Sequence, residues 1–164
     1  MTLVGKAYCF GEHVNTDLII AGRYCHLPAD EMAKHVMEDQ DETFVERFEK
    51  GGILVAQRNF GCGSSREEAP STLKAAGISC VIAVSFARIF YRNCVNIGLP
   101  ILECPEACQK IDEGHTLEID TTAGTIVDKT SGETFQATPF PEFMKNLIHG
   151  GGLMADARRR LAAK

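Results

Sequence analysis

No run of apolar residues in this chain approaches the ~18 that a membrane-crossing helix needs. The amino terminus also lacks the basic-then-apolar layout of a secretory leader. The protein is therefore expected to stay in the cytoplasm, with no membrane to bind. Positive charge is not in excess: 17 lysines and arginines stand against 22 aspartates and glutamates, a formal net charge of −5. That balance argues against a nucleic-acid partner. Internal repeats and low-complexity tracts are absent. So is any CxxC pair, although seven cysteines (Cys9, Cys25, Cys62, Cys80, Cys94, Cys104 and Cys108) are many for this length. An odd number of thiols in a cytoplasmic chain is read as free cysteines. Cys104 and Cys108 enclose Pro105 with no histidine nearby, which is a poor basis for a metal site. No metal or cofactor is expected to be held by this chain itself.

What is present is an ordinary globular composition, 45% apolar and 24% charged over 164 residues. It reads as one domain, residues 1–164, long enough to bury a core. The chain is organised around Asn59-Phe60-Gly61-Cys62-Gly63-Ser64-Ser65-Arg66-Glu67-Glu68. Ahead of it, Ile53-Leu54-Val55-Ala56-Gln57 is a short β-branched apolar run, and behind it Pro70 to Ala76 reads as helix. The stretch is thus a turn at the carboxyl end of a strand. Two glycines around Cys62 free the backbone for positive φ or for close approach to a ligand. Ser64 and Ser65 each have a glutamate three residues on, so either fits a capping box. An irregular turn is expected over Ser65–Glu68, with the regular helix starting near Ala69. A helix start attracts a carboxylate or phosphate, and Arg66 offers a planar fork that grips a carboxylate with two hydrogen bonds. A purely structural turn accounts for the same residues, since a cap explains the serines without a ligand.

Along the chain, Leu3 to Phe10 is read as a first strand. Asn15 to Ile20 follows as a polar turn fixed by Asp17, and residues 21–28 as a mobile loop without a clean period. Pro28 opens a helix to Met37 and a second helix covers Glu42 to Lys50. Cys80 to Val84 forms a buried strand, and Ser85 caps a helix from Phe86 to Ile97 that Gly98 stops. A further strand starts at Pro100. Cys80 and Cys94 sit inside apolar patterns as small core residues, whereas Cys62, in an exposed turn near positive groups, is the more reactive thiol. From His115 the period changes to two, with turns at 121–124 and 131–132, which predicts an antiparallel meander. Pro141 to Ile148 and a basic stretch running to Lys164 read as closing helices. The fold class is α/β, a parallel core with antiparallel strands beside it. The histidines His13, His26, His35, His115 and His149 are scattered without motifs, His35 being a surface or packing residue. Neither serine therefore has an evident base, and the chain reads as part of an active site that another subunit completes.

Three ordered motifs, Asn15-Thr16-Asp17-Leu18-Ile19-Ile20, Asn59 to Glu67, and Ser85 to Asn93 with Gly98-Leu99-Pro100, together resemble the small subunits of 3-isopropylmalate dehydratase. These are the detached swivelling domains of the aconitase superfamily. The resemblance implies a β/β/α swivelling domain and a hydro-lyase of leucine biosynthesis that works only when docked on a large subunit. That partner would carry a [4Fe-4S] cluster with its ligands, the unligated iron taking the substrate hydroxyl as a Lewis acid. It further implies that Ser64 is the catalytic base and that Ser65 and Arg66 bind a carboxylate of a small dicarboxylate substrate. Substrate choice would rest on Tyr24-Cys25-His26-Leu27, where relatives acting on tricarboxylates present an arginine and isopropylmalate enzymes present apolar residues. This loop has no arginine at those four positions, although Arg23 precedes them, and Cys25 and His26 depart from both patterns. An alkyl-substituted malate is favoured. The small subunit of a 2,3-dimethylmalate dehydratase or a homoaconitase, a loop that merely packs on the large subunit, and a non-catalytic module holding a carboxylate or a partner all stay open.

Overall fold

The computed structural model describes residues 1–138 and 140–162. Among them the strands are β1 (Thr2–Cys9), β2 (Ile53–Ala56), β3 (Cys80–Ala83), β4 (Ile101–Glu103), β5 (Thr116–Asp120), β6 (Thr125–Asp128) and β7 (Thr134–Gln136). They form one sheet in the order β4-β3-β2-β1-β5-β6-β7. The helical segments are α1 (Thr16–Ile19), α2 (Ala29–Met32), α3 (Phe44–Arg47), α4 (Glu68–Ala76), α5 (Arg88–Ile97), α6 (Pro105–Lys110), α7 (Glu142–His149) and α8 (Leu153–Ala162).

The expected combination of parallel core and antiparallel meander is what the chain forms. β1 joins the two halves. Its carboxyl-terminal residues Ala7–Cys9 pair in parallel with Ile53–Val55, and its amino-terminal residues Thr2–Lys6 pair antiparallel with Asp120–Thr116. β2, β3 and β4 continue in parallel register. Every residue of β2 and β3 is buried, as strands covered on both faces require. Alternate residues supply the two faces. Leu54, Ala56, Val81 and Ala83 meet Phe60, Leu73 and Phe90 on one side, while Ile53, Val55, Cys80 and Ile82 meet Cys104, Cys108, Leu117 and Ile126 on the other. Cys80 and Cys94 are core residues, as their apolar settings predict.

The helices depart from expectation more than the strands. The helix predicted from Pro28 to Met37 is one turn, α2, followed by a 3-10 turn at Ala33–His35, and it ends where Met37 takes φ +58°. The predicted helix from Glu42 to Lys50 reduces to α3, because Phe44 and Phe48 stack against each other and pack on Tyr8, with ring centroids 5.1–5.6 Å apart. Ser85 caps nothing: α5 begins only after Ala87, and the Ser85 hydroxyl accepts from the Asn59 amide at 3.0 Å. α6 is an unforeseen helix, opened by Pro105, the proline between Cys104 and Cys108. The basic helix is present as α8, and Ala163 and Lys164 lie outside the described residues. Among the described residues no helix is long and apolar enough to cross a membrane.

Candidate active site

Parallel neighbours bring their carboxyl-terminal loops together, and here the loops after β1, β2 and β3 interlock. The stretch after β2 runs between the other two as a strand-like link. On one side the Phe60 amide donates to the Ser85 carbonyl at 3.0 Å, and the Ala87 amide returns a bond to Phe60 at 2.9 Å. On the other, Gly61 donates to the Val14 carbonyl and Thr16 to the Cys62 carbonyl, both at 2.8 Å. The glycines have distinct reasons. Gly61 has φ +78°, and a Cβ there would lie 2.1 Å from Cγ of Phe90, so nothing larger fits. Gly63 has φ +93° but meets its nearest atom, Asn15 Cβ, only at 3.4 Å, so it is needed for its backbone angle alone.

Ser64 and Ser65 are exposed, and neither caps a helix. α4 starts at Glu68 behind Glu67, with no side-chain cap, so the expected irregular turn is present and the expected capping box is not. The Ser64 carbonyl accepts from Oγ1 of Thr16 at 3.1 Å and from the Arg66 amide at 2.8 Å. The residue is thus pinned by its backbone while its hydroxyl, among the described residues, has no hydrogen-bond partner. Arg66 turns back onto the loop after β1. Its Nη1 lies 2.5 Å from Oδ1 of Asp17 and 3.4 Å from the Ile20 carbonyl. Nε and Nη2 have no acceptor among the described residues. A Cβ at Gly22 would stand 3.2 Å from Nη2, so this glycine keeps room beside the guanidinium.

Asp17 does not fix the turn it was expected to fix. That role belongs to Asn15, whose Oδ1 accepts from the Leu18 amide at 3.0 Å and so caps α1. Thr16, Asp17 and Gly22 touch this turn, a placement that sequence reasoning missed. Their signal was available: an acid and a small residue just beyond β1 must lie beside the loop after its parallel neighbour.

The loop that follows is less free than its composition implied. Residues Gly22–Tyr24 form a 3-10 turn. The Tyr24 ring stacks on His35, with centroids 3.8 Å apart, and its hydroxyl donates to Oε1 of Glu38 at 3.1 Å. His35 is thus a packing residue, as expected. Arg23 pairs with both oxygens of Asp39 and, at 3.3 Å, with Glu38. Tyr24, Cys25 and Leu27 are half-buried against the core and His26 is exposed. The structure brings this loop to Arg66 through Gly22; it brings Ser64, Ser65 and Arg66 together by succession in one turn.

All seven cysteines are free. Cys62 is half-buried with Sγ 3.6 Å from the His13 carbonyl. Burial pushes the Cys108 thiol up to about 12, and burial with the nearby carboxylates of Glu113 and Asp112 pushes Cys9 up to about 11. Among the described residues no group of three or more histidines, cysteines, aspartates or glutamates is placed to hold a metal ion. The donors of this chain therefore do not fit an iron–sulfur cluster, which needs several thiolates at one point.

Residues 20–107 match the family defined by the aconitase C-terminal domain. The 3-isopropylmalate dehydratase small subunit of Caldicellulosiruptor bescii is 54% identical over 155 residues, covering 94% of this chain and 93% of that protein. The chain belongs to this family. The motif-based resemblance thus holds along nearly the whole length. A second relative, the 2,3-dimethylmalate dehydratase small subunit of Eubacterium barkeri, is 53% identical over 155 residues, covering 94% of this chain and 95% of that one. Among solved structures, the 3-isopropylmalate dehydratase of Methanocaldococcus jannaschii superposes with a TM-score of 0.94 at 38% identity, covering 99% of this chain and 97% of that chain. The fold is therefore the swivelling domain of the aconitase family, as expected. The family match contains Gly22 to Leu27 and the Gly61–Arg66 turn, while Asp17 lies just ahead of it.

Proposed function

We propose that this chain is the small subunit of a hydro-lyase that interconverts 2- and 3-isopropylmalate by dehydration and rehydration, in leucine biosynthesis, and that it turns over only when docked on a large subunit. One observation carries the reading: among the described residues, Ser64 presents an unpartnered hydroxyl from a pinned backbone, two residues before an arginine whose Nε and Nη2 have no acceptor. That is half of an acid–base site. In this reading the group that expels and returns the hydroxyl comes from the partner.

In this reading the Nε–Nη2 edge of Arg66 grips one substrate carboxylate with two hydrogen bonds, and the Ser65 hydroxyl donates to the same group. Ser64 Oγ takes the proton from the carbon next to the hydroxyl-bearing carbon, and the double bond forms as the hydroxyl leaves that second carbon as water with a proton from the partner's side. On rehydration the hydroxyl of a water adds to the carbon that gave up its proton, and the Ser64 proton goes to the other. A serine oxygen is a base only where positive charge and exclusion of water favour its ionised form. The fixed guanidinium supplies the first, and a docked partner the second. A [4Fe-4S] cluster belongs in this reading to the large subunit, which fits the lack of a gathered donor set among the described residues.

Arg23 bears on the substrate. It is committed to Asp39 and Glu38 and is not free to receive a third carboxylate, which supports an alkylmalate over a tricarboxylate. Cys25, His26 and Leu27 then face the alkyl group. The Eubacterium barkeri relative favours a second reading, in which the substrate is 2,3-dimethylmalate.

The test is to purify the chain with and without a co-expressed large subunit and assay both alkylmalates. The complex is expected to turn over one of them and the lone chain neither; turnover by the lone chain sinks the split site. Ser64→Ala in the assembled complex is expected to lower kcat by roughly 10²–10⁴, the range of general base catalysis, with assembly intact. Near-normal turnover would rule out Ser64 as the base.

A further inference from the structure

The loop bearing Tyr24, Cys25, His26 and Leu27 is tied down by side chains that the proposed chemistry does not use. His35 lies flat under the Tyr24 ring at an interplanar angle of 9°. Its Nδ1 is 2.6 Å from Oε2 of Glu38, whose other oxygen accepts from the Tyr24 hydroxyl at 3.1 Å and from Arg23 at 3.3 Å. The Arg23 guanidinium covers the Tyr24 ring at 4.7 Å. Ring, imidazole, carboxylate and guanidinium thus close a loop of contacts around one tyrosine. The base of this latch is rigid. Buried Met37, next to Glu38, donates its amide to the Ile19 carbonyl at 2.9 Å, in the same turn that holds Arg66 through Asp17 and Ile20.

We infer that His35 and Glu38 are positioning residues for the substrate loop: by clamping Tyr24 they fix the backbone of residues 22–27, and with it the room that Gly22 leaves beside Arg66 and the wall that Cys25, His26 and Leu27 offer an alkyl group. Tyr24 then serves as an anchor, and discrimination between alkylmalates falls to the three residues after it. An aromatic ring held on one face and at its hydroxyl has few ways to move. Cutting either hold loosens the backbone that carries it. The inference rests on the function proposed above, because it assigns the loop to the substrate.

The test uses Glu38→Ala, His35→Phe, which keeps a ring to stack on while losing the partner of Glu38, and Tyr24→Phe, which loses only the hydroxyl bond. Amide hydrogen exchange of residues 22–27 is followed on the full chain, free and bound to the large subunit. Steady-state kinetics of the complex are measured with 3-isopropylmalate and with 2,3-dimethylmalate. Glu38→Ala is expected to speed exchange in 22–27 roughly tenfold, as loss of charge-assisted bonds at a local opening predicts. It is also expected to raise KM about fivefold with kcat within about twofold, and to shift the kcat/KM ratio between the two substrates, the pattern of a lost binding geometry. His35→Phe and Tyr24→Phe should show smaller changes in the same direction. Unchanged exchange in Glu38→Ala overturns the latch. Faster exchange with unchanged KM and substrate ratio overturns its positioning role. A wild-type complex inert towards both alkylmalates overturns the functional reading instead, and is told apart because exchange is read without turnover.

Discussion

Arg66 sets its Nη1 2.5 Å from Oδ1 of Asp17 and so links the loop after β2 to the turn after β1. The Asp17 side chain is 56% exposed, and exposed ion pairs contribute at most ~1 kcal/mol to stability. The pair is better explained by aim than by stability, since it holds the guanidinium with Nη2 beside Gly22. Asp17→Asn is therefore expected to leave the thermal midpoint within a few degrees of wild type while lowering kcat/KM roughly tenfold, mostly through KM. Calorimetry beside steady-state kinetics checks both halves.

The two glycines of the turn should separate cleanly. Gly61→Ala forces a methyl group into Phe90 as well as a strained φ, and is expected to cost about 3 kcal/mol. Gly63→Ala adds strain alone, about 1 kcal/mol. Urea unfolding of the two variants measures the difference; equal losses would mean that Phe90 yields.

Acid should weaken the antiparallel half at one identifiable carboxylate. Asp128 is fully buried, 2.6 Å from His115 Nδ1, and accepts from the amides of Thr130 and Ser131. Burial pushes its pKa up, but the bonds from His115, Ser131 and Thr130 outweigh that and hold the carboxyl below its ordinary value. A group depressed in the folded state contributes stability that is present above its unfolded pKa, about 4, and is lost as pH falls through the lower folded value. Denaturant midpoints should drop as pH falls below about 4, and Asp128→Asn should flatten that drop. An identical acid profile in the variant would assign the sensitivity elsewhere.

Thiol labelling should rank the cysteines by environment rather than by exposure alone. Cys9 and Cys62 are both half-buried, but burial and the carboxylates of Glu113 and Asp112 raise the Cys9 thiol. Iodoacetamide at about pH 8 should modify Cys62 well before Cys9, with Cys80 and Cys94 protected until the chain unfolds. Peptide mapping over time gives the order.

The strands were legible because their information is local. Ile53–Ala56 and Cys80–Ala83 are continuous apolar runs, and Thr116–Asp120 alternates, so each announces its own burial. The helices were less so. Around Phe44 and Phe48 an aromatic cluster with Tyr8 overrides a favourable helical composition, which no local window contains. The serines of the central turn were misread for a more instructive reason: Ser64 and Ser65 obey the spacing of a capping box, yet their hydroxyls stay uncommitted. The spacing of a capping box is thus necessary for the cap but does not by itself form it. The partnership of Asp17 with Arg66 depends on which strands are neighbours, and follows only once β1 is seen beside β2.

The divided pairing of β1 has a consequence for synthesis. Of the described strands this one is made first, and its inner half can dock as soon as β2 has emerged. Its outer half cannot: Thr2 waits for Asp120 and Lys6 for Thr116. Until β5 emerges the nascent chain therefore carries a bare strand edge, the kind of template on which unrelated chains nucleate. Val4, an exposed valine on that edge, is flanked by Lys6, a charge that discourages such pairing until β5 arrives.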